Sequence, residues 1–170
     1  MDNSTTSQCR EIEKVFGAIL ELDFLTGSCA DEIYIGPQIR KLCQKNKDIY
    51  DNTEIISLVI SFMTSIFIGG YANIDETDGA GINLMDLRER NWSKEALEAT
   101  APNLEKKLGP LAPSYAIASN LRSYFVEKFL FDKNCLVIQW FGDNPTRLAG
   151  LALNHPRDLA INLGTNDVVF

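Results

Sequence analysis

The sequence predicts an α/β fold in which a mostly helical first part runs into a C-terminal α/β part. Three observations predict it. Apolar residues recur at helical spacing up to Gly70, apolar runs alternate with turn signals from Cys135 onward, and Gly/Pro breakers separate the segments. With 170 residues and 45% hydrophobic content, the chain is long enough to build a sizeable core.

Taken in order, Ile12, Val15, Phe16, Ile19 and Leu20 fall on one helical face, and Thr5 with Gln8 predicts a capping box in front of them. A second helix is expected around Pro37 to Cys43, and a third after Thr53, stopping at Gly69-Gly70. The window Ile55 to Ile68 reads as a buried helix, because it is too short for a bilayer and is interrupted by Ser57, Ser61, Thr64 and Ser65. Tyr71 to Leu87 holds neither period and predicts a loop. Short helices fit Ser93 to Thr100, capped by Ser93, and Pro102 to Leu108, closed by Gly109. Ile117, Leu121, Tyr124, Phe125 and Phe129 predict a further amphipathic helix ending at Asp132-Lys133-Asn134. The remainder reads as strand (CLVIQW), helix (Pro145 to Leu153), strand (LAINLG), turn (Thr165-Asn166) and strand (VVF). The chain stops at Phe170 inside that last apolar run, which predicts a truncated domain.

Charge narrows the function classes. The 23 acidic residues exceed the 16 basic ones, for a net charge of −7, and no Lys/Arg block offers a phosphate-tracking stripe, so nucleic acid is not the expected partner. The N-terminus lacks the apolar segment of a secretory signal, and no membrane partner is expected. Cys9, Cys29, Cys43 and Cys135 form no CxxC pair, which argues against structural zinc and for reduced thiols in the cytoplasm.

Asp143, directly after CLVIQW, sits where α/β proteins bind ligands, beyond the carboxyl end of a strand. A carboxylate there can take a proton from a substrate hydroxyl; equally, Asp143 or Asn144 can simply cap the Pro145 helix. Gly164-Thr165 reads either as a phosphate grip built from backbone N–H groups and a hydroxyl or as an ordinary hairpin turn. Asp75, Glu76 and Asp78 lie in a Gly-rich stretch whose spacing fails the EF-hand pattern, and they are expected in a turn near the cleft. His155, with no Ser or Cys motif to serve, reads as a surface turn histidine.

Several segments together, in constant order, resemble the middle of a sugar kinase of the FGGY family: MDNSTTSQCR, LTGS with GPQIRKL, IDETDGAGINL, APNLEKKLGPLAPS, GDNPTRLAG and NLGTND. The resemblance implies an actin-like (ribonuclease H-like) α/β kinase fold, present here incompletely. Residues 1–157 would be the second half of the N-terminal sugar-binding domain, and residues 158–170 the first strands of the nucleotide-binding domain. It implies ATP and Mg2+ as cofactors and a ketose or polyol as the small-molecule substrate. By the same resemblance Asp143 is the general base, Asn144 holds the sugar, and Gly164 and Thr165 lie against the nucleotide phosphates. Two residues depart from the family pattern: Ile33 stands where close members carry a sugar-contacting arginine, and Phe141 precedes GDN where a small residue is common. The family's first phosphate loop, its early sugar-binding histidine segment and its adenine-binding turn have no counterpart in these residues. The isolated chain is therefore expected to have little or no kinase activity and to self-associate through exposed apolar surface, and a non-catalytic remnant is the alternative.

Overall fold

Helix α1 (Thr6–Val15) turns Gln8, Cys9, Ile12 and Glu13 inward in the computed structural model, which describes residues 3–17, 19–163 and 168–169. The single helix expected through Leu20 is broken at Gly17, whose φ of 77° leaves helical space, and α2 (Ile19–Thr26) starts afresh. The predicted capping box does not form. Thr5 Oγ1 donates to the Glu32 carbonyl at 2.5 Å and Gln8 Nε2 donates to Gln44 Oε1 at 2.7 Å, so both side chains are spent on tertiary contacts.

Helix α3 (Ile35–Lys45) carries Pro37 in its first turn, where the missing N–H costs nothing, and α4 (Lys47–Asp51) follows it. Helix α5 (Val59–Ile68) begins well after Thr53 and ends, as expected, at a left-handed Gly69 with φ 75°. It is not the buried helix expected from its composition. Ser61 and Thr64 face inward while Val59 and Phe62 are 79% and 55% exposed. The hydroxyls tolerate a dry environment because each finds a backbone carbonyl of its own helix or cap: Ser61 that of Leu58, Thr64 that of Ile60.

The stretch expected to be a loop holds strand β1 (Ile74–Asp75), helix α6 (Glu76–Gly81) and strand β2 (Met85–Asp86). Strand β3 (Asn91–Trp92) pairs antiparallel with β2. Helix α7 (Lys94–Thr100) is capped as predicted, Ser93 Oγ accepting the Ala96 N–H at 3.1 Å. Helix α8 (Leu104–Leu108) closes on Gly109, and strand β4 (Leu111–Ala112) returns to pair in parallel with β1.

The helix predicted over Ile117 to Phe129 is split. Its first part becomes strand β5 (Ile117–Asn120), leaving α9 (Ser123–Phe129), because β5 pairs antiparallel with β6 (Leu136–Ile138), a partner that helical spacing cannot register. Helix α10 (Asp143–Leu151) follows β6, and β7 (Ile161–Asn162) pairs antiparallel with β8 (Val168–Val169). The α/β class expected from the sequence is the one observed.

One core lies between α3, α7, α8 and the β1–β2 segment, with Ile39, Tyr50, Ile82, Leu84, Leu97 and Leu104 at its centre. Tyr50 reaches it without stranding its hydroxyl, which donates to the Pro102 carbonyl at 2.8 Å, and burial pushes that phenol up to about 12. Leu84, 1% exposed, fills the space against Gly36, where an added Cβ would meet Leu84 Cδ2 at 3.3 Å and the Ile82 carbonyl oxygen at 3.0 Å.

Leu84→Ala is expected to lower the unfolding free energy by about 2–5 kcal/mol, and removal of the Ser93 cap by alanine by about 1 kcal/mol. Urea denaturation of each variant checks both, and a Leu84→Ala loss no larger than that of the cap variant would contradict the placement of the core.

Candidate functional site

The site is built where β6 runs into α10. Gln139, 3% exposed, donates its side-chain amide to the Asn73 carbonyl, which ties the end of β6 to the residue preceding β1. The chain then turns through Trp140, Phe141 and Gly142 into α10. Asp143 is the first residue of that helix and Gly142 occupies the cap position without a side-chain cap bond. Neither Asp143 nor Asn144 is therefore the cap that a structural reading of GDNP would make of it. Both side chains reach water.

The Asp143 carboxylate has one described partner, Arg147 one turn along the helix, at 2.9 Å between Nη1 and Oδ2. Arg147 is not among the sequence candidates, although its i,i+4 spacing after Asp143 is legible there. With the Asp143 side chain 69% exposed, the pair contributes little to stability, but it orients a carboxylate that remains open to a ligand.

Behind Asp143 lies the segment read from sequence as a turn near the cleft. Asp75, 1% exposed, is the N-cap of α6 and uses both carboxylate oxygens. Oδ2 accepts the Thr77 N–H at 2.9 Å, the Thr77 hydroxyl at 2.6 Å and the Ser114 hydroxyl at 2.8 Å; Oδ1 accepts the Asp78 N–H at 3.2 Å. Each bond to a charged acceptor contributes about 1.5–3 kcal/mol, which offsets the cost of burying the charge. Glu76 pairs with Arg90. The Thr77 oxygen that donates to Asp75 also accepts the Gly142 N–H at 3.0 Å, so the two segments are joined one residue before Asp143. At Gly142 an added Cβ would meet Thr77 Oγ1 at 3.2 Å and Asp78 Oδ1 at 3.6 Å.

Asp78 completes the cluster. Its carboxyl is raised to about 6, first by burial, then by the negative charge of Asp75 and of Asp143. It lines a cavity of about 280 Å3 with Ile35, Leu58, Val59, Ile60 and Ile82. On the other side of the same turn, Phe141 and Thr146 line a larger groove of about 570 Å3, whose remaining walls include Phe67, Leu121, Val137 and Trp140. Phe141 thus faces that groove and leaves the Asp78 cavity to other side chains.

The other sequence candidates fall elsewhere. Gly164 and Thr165, and the Thr165-Asn166 turn, lie outside the described residues. Ile33 is half-buried just ahead of α3, its N–H donating to Asp31 Oδ1 at 3.0 Å. His155 is exposed in a turn closed by Asp158, which accepts the N–H groups of Asn154 and His155. The four cysteines are free thiols, and burial pushes that of Cys9 up. Among the described residues no three His, Cys, Asp or Glu side chains are placed to hold a metal ion, and no helix is long and apolar enough to cross a membrane.

Residues 1–150 match the model of the FGGY family of carbohydrate kinases, N-terminal domain. The chain is similar over all of its 170 residues to xylulose kinase 2 of Arabidopsis thaliana, at 60% identity, and covers 30% of that protein. Among solved structures, a ligand-bound xylulose kinase from Lactobacillus acidophilus superposes with a TM-score of 0.83 at 18% identity over 99% of this chain and 34% of its own. A gluconate kinase from the same organism gives the same TM-score, identity and coverage. The fold is thus that of the sugar kinases, and fold alone does not separate one sugar from another.

The raised Asp78 carboxyl carries a stability consequence. Between its ordinary value of 3.8 and about 6 the folded state binds a proton that the unfolded state has released, so stability falls as pH rises through that window and stays low above it. Asp78→Asn is expected to stabilise the chain at pH 7.5 and to have little effect at pH 3.5. The full shift corresponds to about 3 kcal/mol, which partial exposure to water screens to about 1 kcal/mol. Urea midpoints at the two pH values check this, and an equal effect at both would contradict it.

Proposed function

We propose that this chain, which belongs to the FGGY family of carbohydrate kinases, is the part of an ATP-dependent kinase that presents the general base to D-xylulose or a related ketose or polyol. The observation that carries this reading is Asp143, an exposed carboxylate held at the junction of β6 and α10 and oriented by Arg147. The identity of 60% to a plant xylulose kinase over the whole chain supports the substrate class.

In the proposed reaction Asp143 accepts the proton of the attacking sugar hydroxyl. The sugar oxygen forms a bond to the γ-phosphorus of ATP, and the bond to the bridging oxygen breaks, so that ADP leaves with the electron pair. The chain supplies position and charge rather than a covalent intermediate. Asn144 hydrogen-bonds the sugar beside the reacting hydroxyl, and the assignment of Gly164 and Thr165 to the phosphates rests on the family resemblance, since both lie outside the described residues. The described carboxylates do not compose a Mg2+ site of their own, since Asp75 uses both oxygens internally and Asp143 is paired. The ion is expected to arrive on the nucleotide as Mg-ATP.

Residues 1–157 belong in this reading to the sugar-binding domain and residues 158–170 to the nucleotide-binding one. The chain spans about a third of the length of the curated relatives it matches. We accordingly expect the 170 residues alone to lack turnover and to self-associate through apolar side chains such as Val59, Leu130 and Tyr115, which are 79%, 88% and 81% exposed. The free thiols are compatible with a cytoplasmic location. A second reading, a non-catalytic remnant that binds sugar weakly or docks on another protein, is favoured by Ile33, a side chain with no donor to offer a sugar hydroxyl.

In a full-length kinase carrying these residues, Asp143→Asn is expected to lower kcat by about 100- to 10,000-fold while leaving the melting temperature nearly unchanged. A coupled ADP-release assay with D-xylulose checks it. Unchanged turnover in the variant would remove Asp143 as base. No turnover in the parent, regained with Ile33→Arg, would mark a kinase that has lost its sugar contact, whereas no gain would favour the remnant.

A further inference from the structure

We infer that Thr77 is a positioning residue for the reaction, its hydroxyl fixing the Gly142 backbone and through it the direction in which Asp143 presents its carboxylate. The inference rests on the reading of Asp143 as base and adds a residue, 65 positions away in the chain, on which that base depends.

A threonine hydroxyl has one hydrogen and two lone pairs. At Thr77 the hydrogen goes to Asp75 Oδ2 at 2.6 Å, a short bond to an ionised partner, and a lone pair receives the Gly142 N–H at 3.0 Å. Donation to a buried carboxylate raises the electron density on the oxygen and strengthens its hold on the amide. Because Asp75 is 1% exposed and held by three further bonds, from Thr77 N–H, Asp78 N–H and Ser114 Oγ, the hydroxyl cannot turn away without leaving that charge short of a partner. The direction of the relay is therefore fixed from Asp75 outward to Gly142.

Gly142 is where such a constraint has most effect. Its peptide leads directly into Asp143, its N–H is held by Thr77, and its carbonyl accepts both the Thr146 N–H at 3.2 Å and the Thr146 hydroxyl at 2.7 Å. The residue is anchored on both sides, and Asp143 is the next one along. Helix α10 has no side-chain cap, so the bond that the Gly142 N–H donates to Thr77 takes over the fixing of its start from outside the helix. A side chain at position 142 would press on Thr77 Oγ1, which keeps the two backbones at this close spacing. Proton abstraction depends on alignment to within fractions of an ångström, and a displacement of about 1 Å lowers rates by about 100-fold.

A purely structural role would be support of Asp75 as the cap of α6, and the two roles separate experimentally. In a full-length kinase carrying this segment, Thr77→Val keeps the shape and loses the hydroxyl, whereas Thr77→Ser keeps the hydroxyl. The valine variant is expected to lose about 10- to 100-fold in kcat with KM for the sugar changed less than about threefold, and the serine variant to retain kcat within about threefold. In an Asp143→Asn background, Thr77→Val is expected to lower the residual rate no further, since the group it aims is gone. If Asp143→Asn abolishes turnover while Thr77→Val lowers the melting temperature and leaves kcat of the folded enzyme intact, the positioning role is overturned and the base survives. An Asp143→Asn variant with normal turnover overturns the base and the positioning role with it. Should Thr77→Val not fold, amide hydrogen exchange at Gly142 in Thr77→Ser decides: protection equal to the parent supports the relay, and exchange as fast as at an unbonded surface amide overturns it.

Discussion

A carboxylate removed from water must be matched by hydrogen bonds, and at Asp75 that requirement organises the site. Four donors converge on it, from Thr77 twice, Asp78 and Ser114. Meeting them starts α6 at the residue that follows β1 and draws Ser114, just past β4, against the same point. The parallel pairing of β1 with β4 and the buried amide of Gln139 then bring the end of β6 alongside. The turn that carries Asp143 is thus set against a charge that cannot move without a cost of several kcal/mol. An exposed, ion-paired Asp143 on that rigid base is what the proposed proton transfer needs, an accessible group with a fixed origin.

The same charge has an electrostatic consequence at Asp78. Asp75 and Asp143 both disfavour a further negative charge there, and burial disfavours it more, so Asp78 holds its proton up to about 6. Asp143, by contrast, meets solvent and Arg147.

Local signals were legible in the sequence and nonlocal ones were not. Gly69 as a stop, Ser93 as a cap and Pro37 in a first turn depend on neighbours a few residues away, and each stands where its chemistry puts it. Thr5 failed as a cap because its acceptor, the Glu32 carbonyl, lies 27 residues on. The Ile117 to Phe129 pattern reads as one helix because periodicity is blind to β6, and α6 leaves no periodic signal because it is six residues long and contains two glycines. At the site, strand-turn-helix punctuation picked out Asp143, and motif order pointed to its family, but nothing local to Thr77 announces a bond to Gly142. The bare apolar side of α5 has the same origin: composition predicted burial, and the described residues supply no cover for it.

The proposed reaction requires Asp143 next to a reactive hydroxyl while Thr77 holds the preceding amide. A crystal structure of a full-length kinase carrying these residues, with D-xylulose and a non-hydrolysable ATP analogue bound, measures both at once. An Asp143 carboxylate oxygen is expected about 2.6–3.2 Å from the sugar hydroxyl that faces the γ-phosphate, with the Gly142 to Thr77 bond intact. A sugar whose nearest hydroxyl lies beyond reach of Asp143, even through one water, would contradict it.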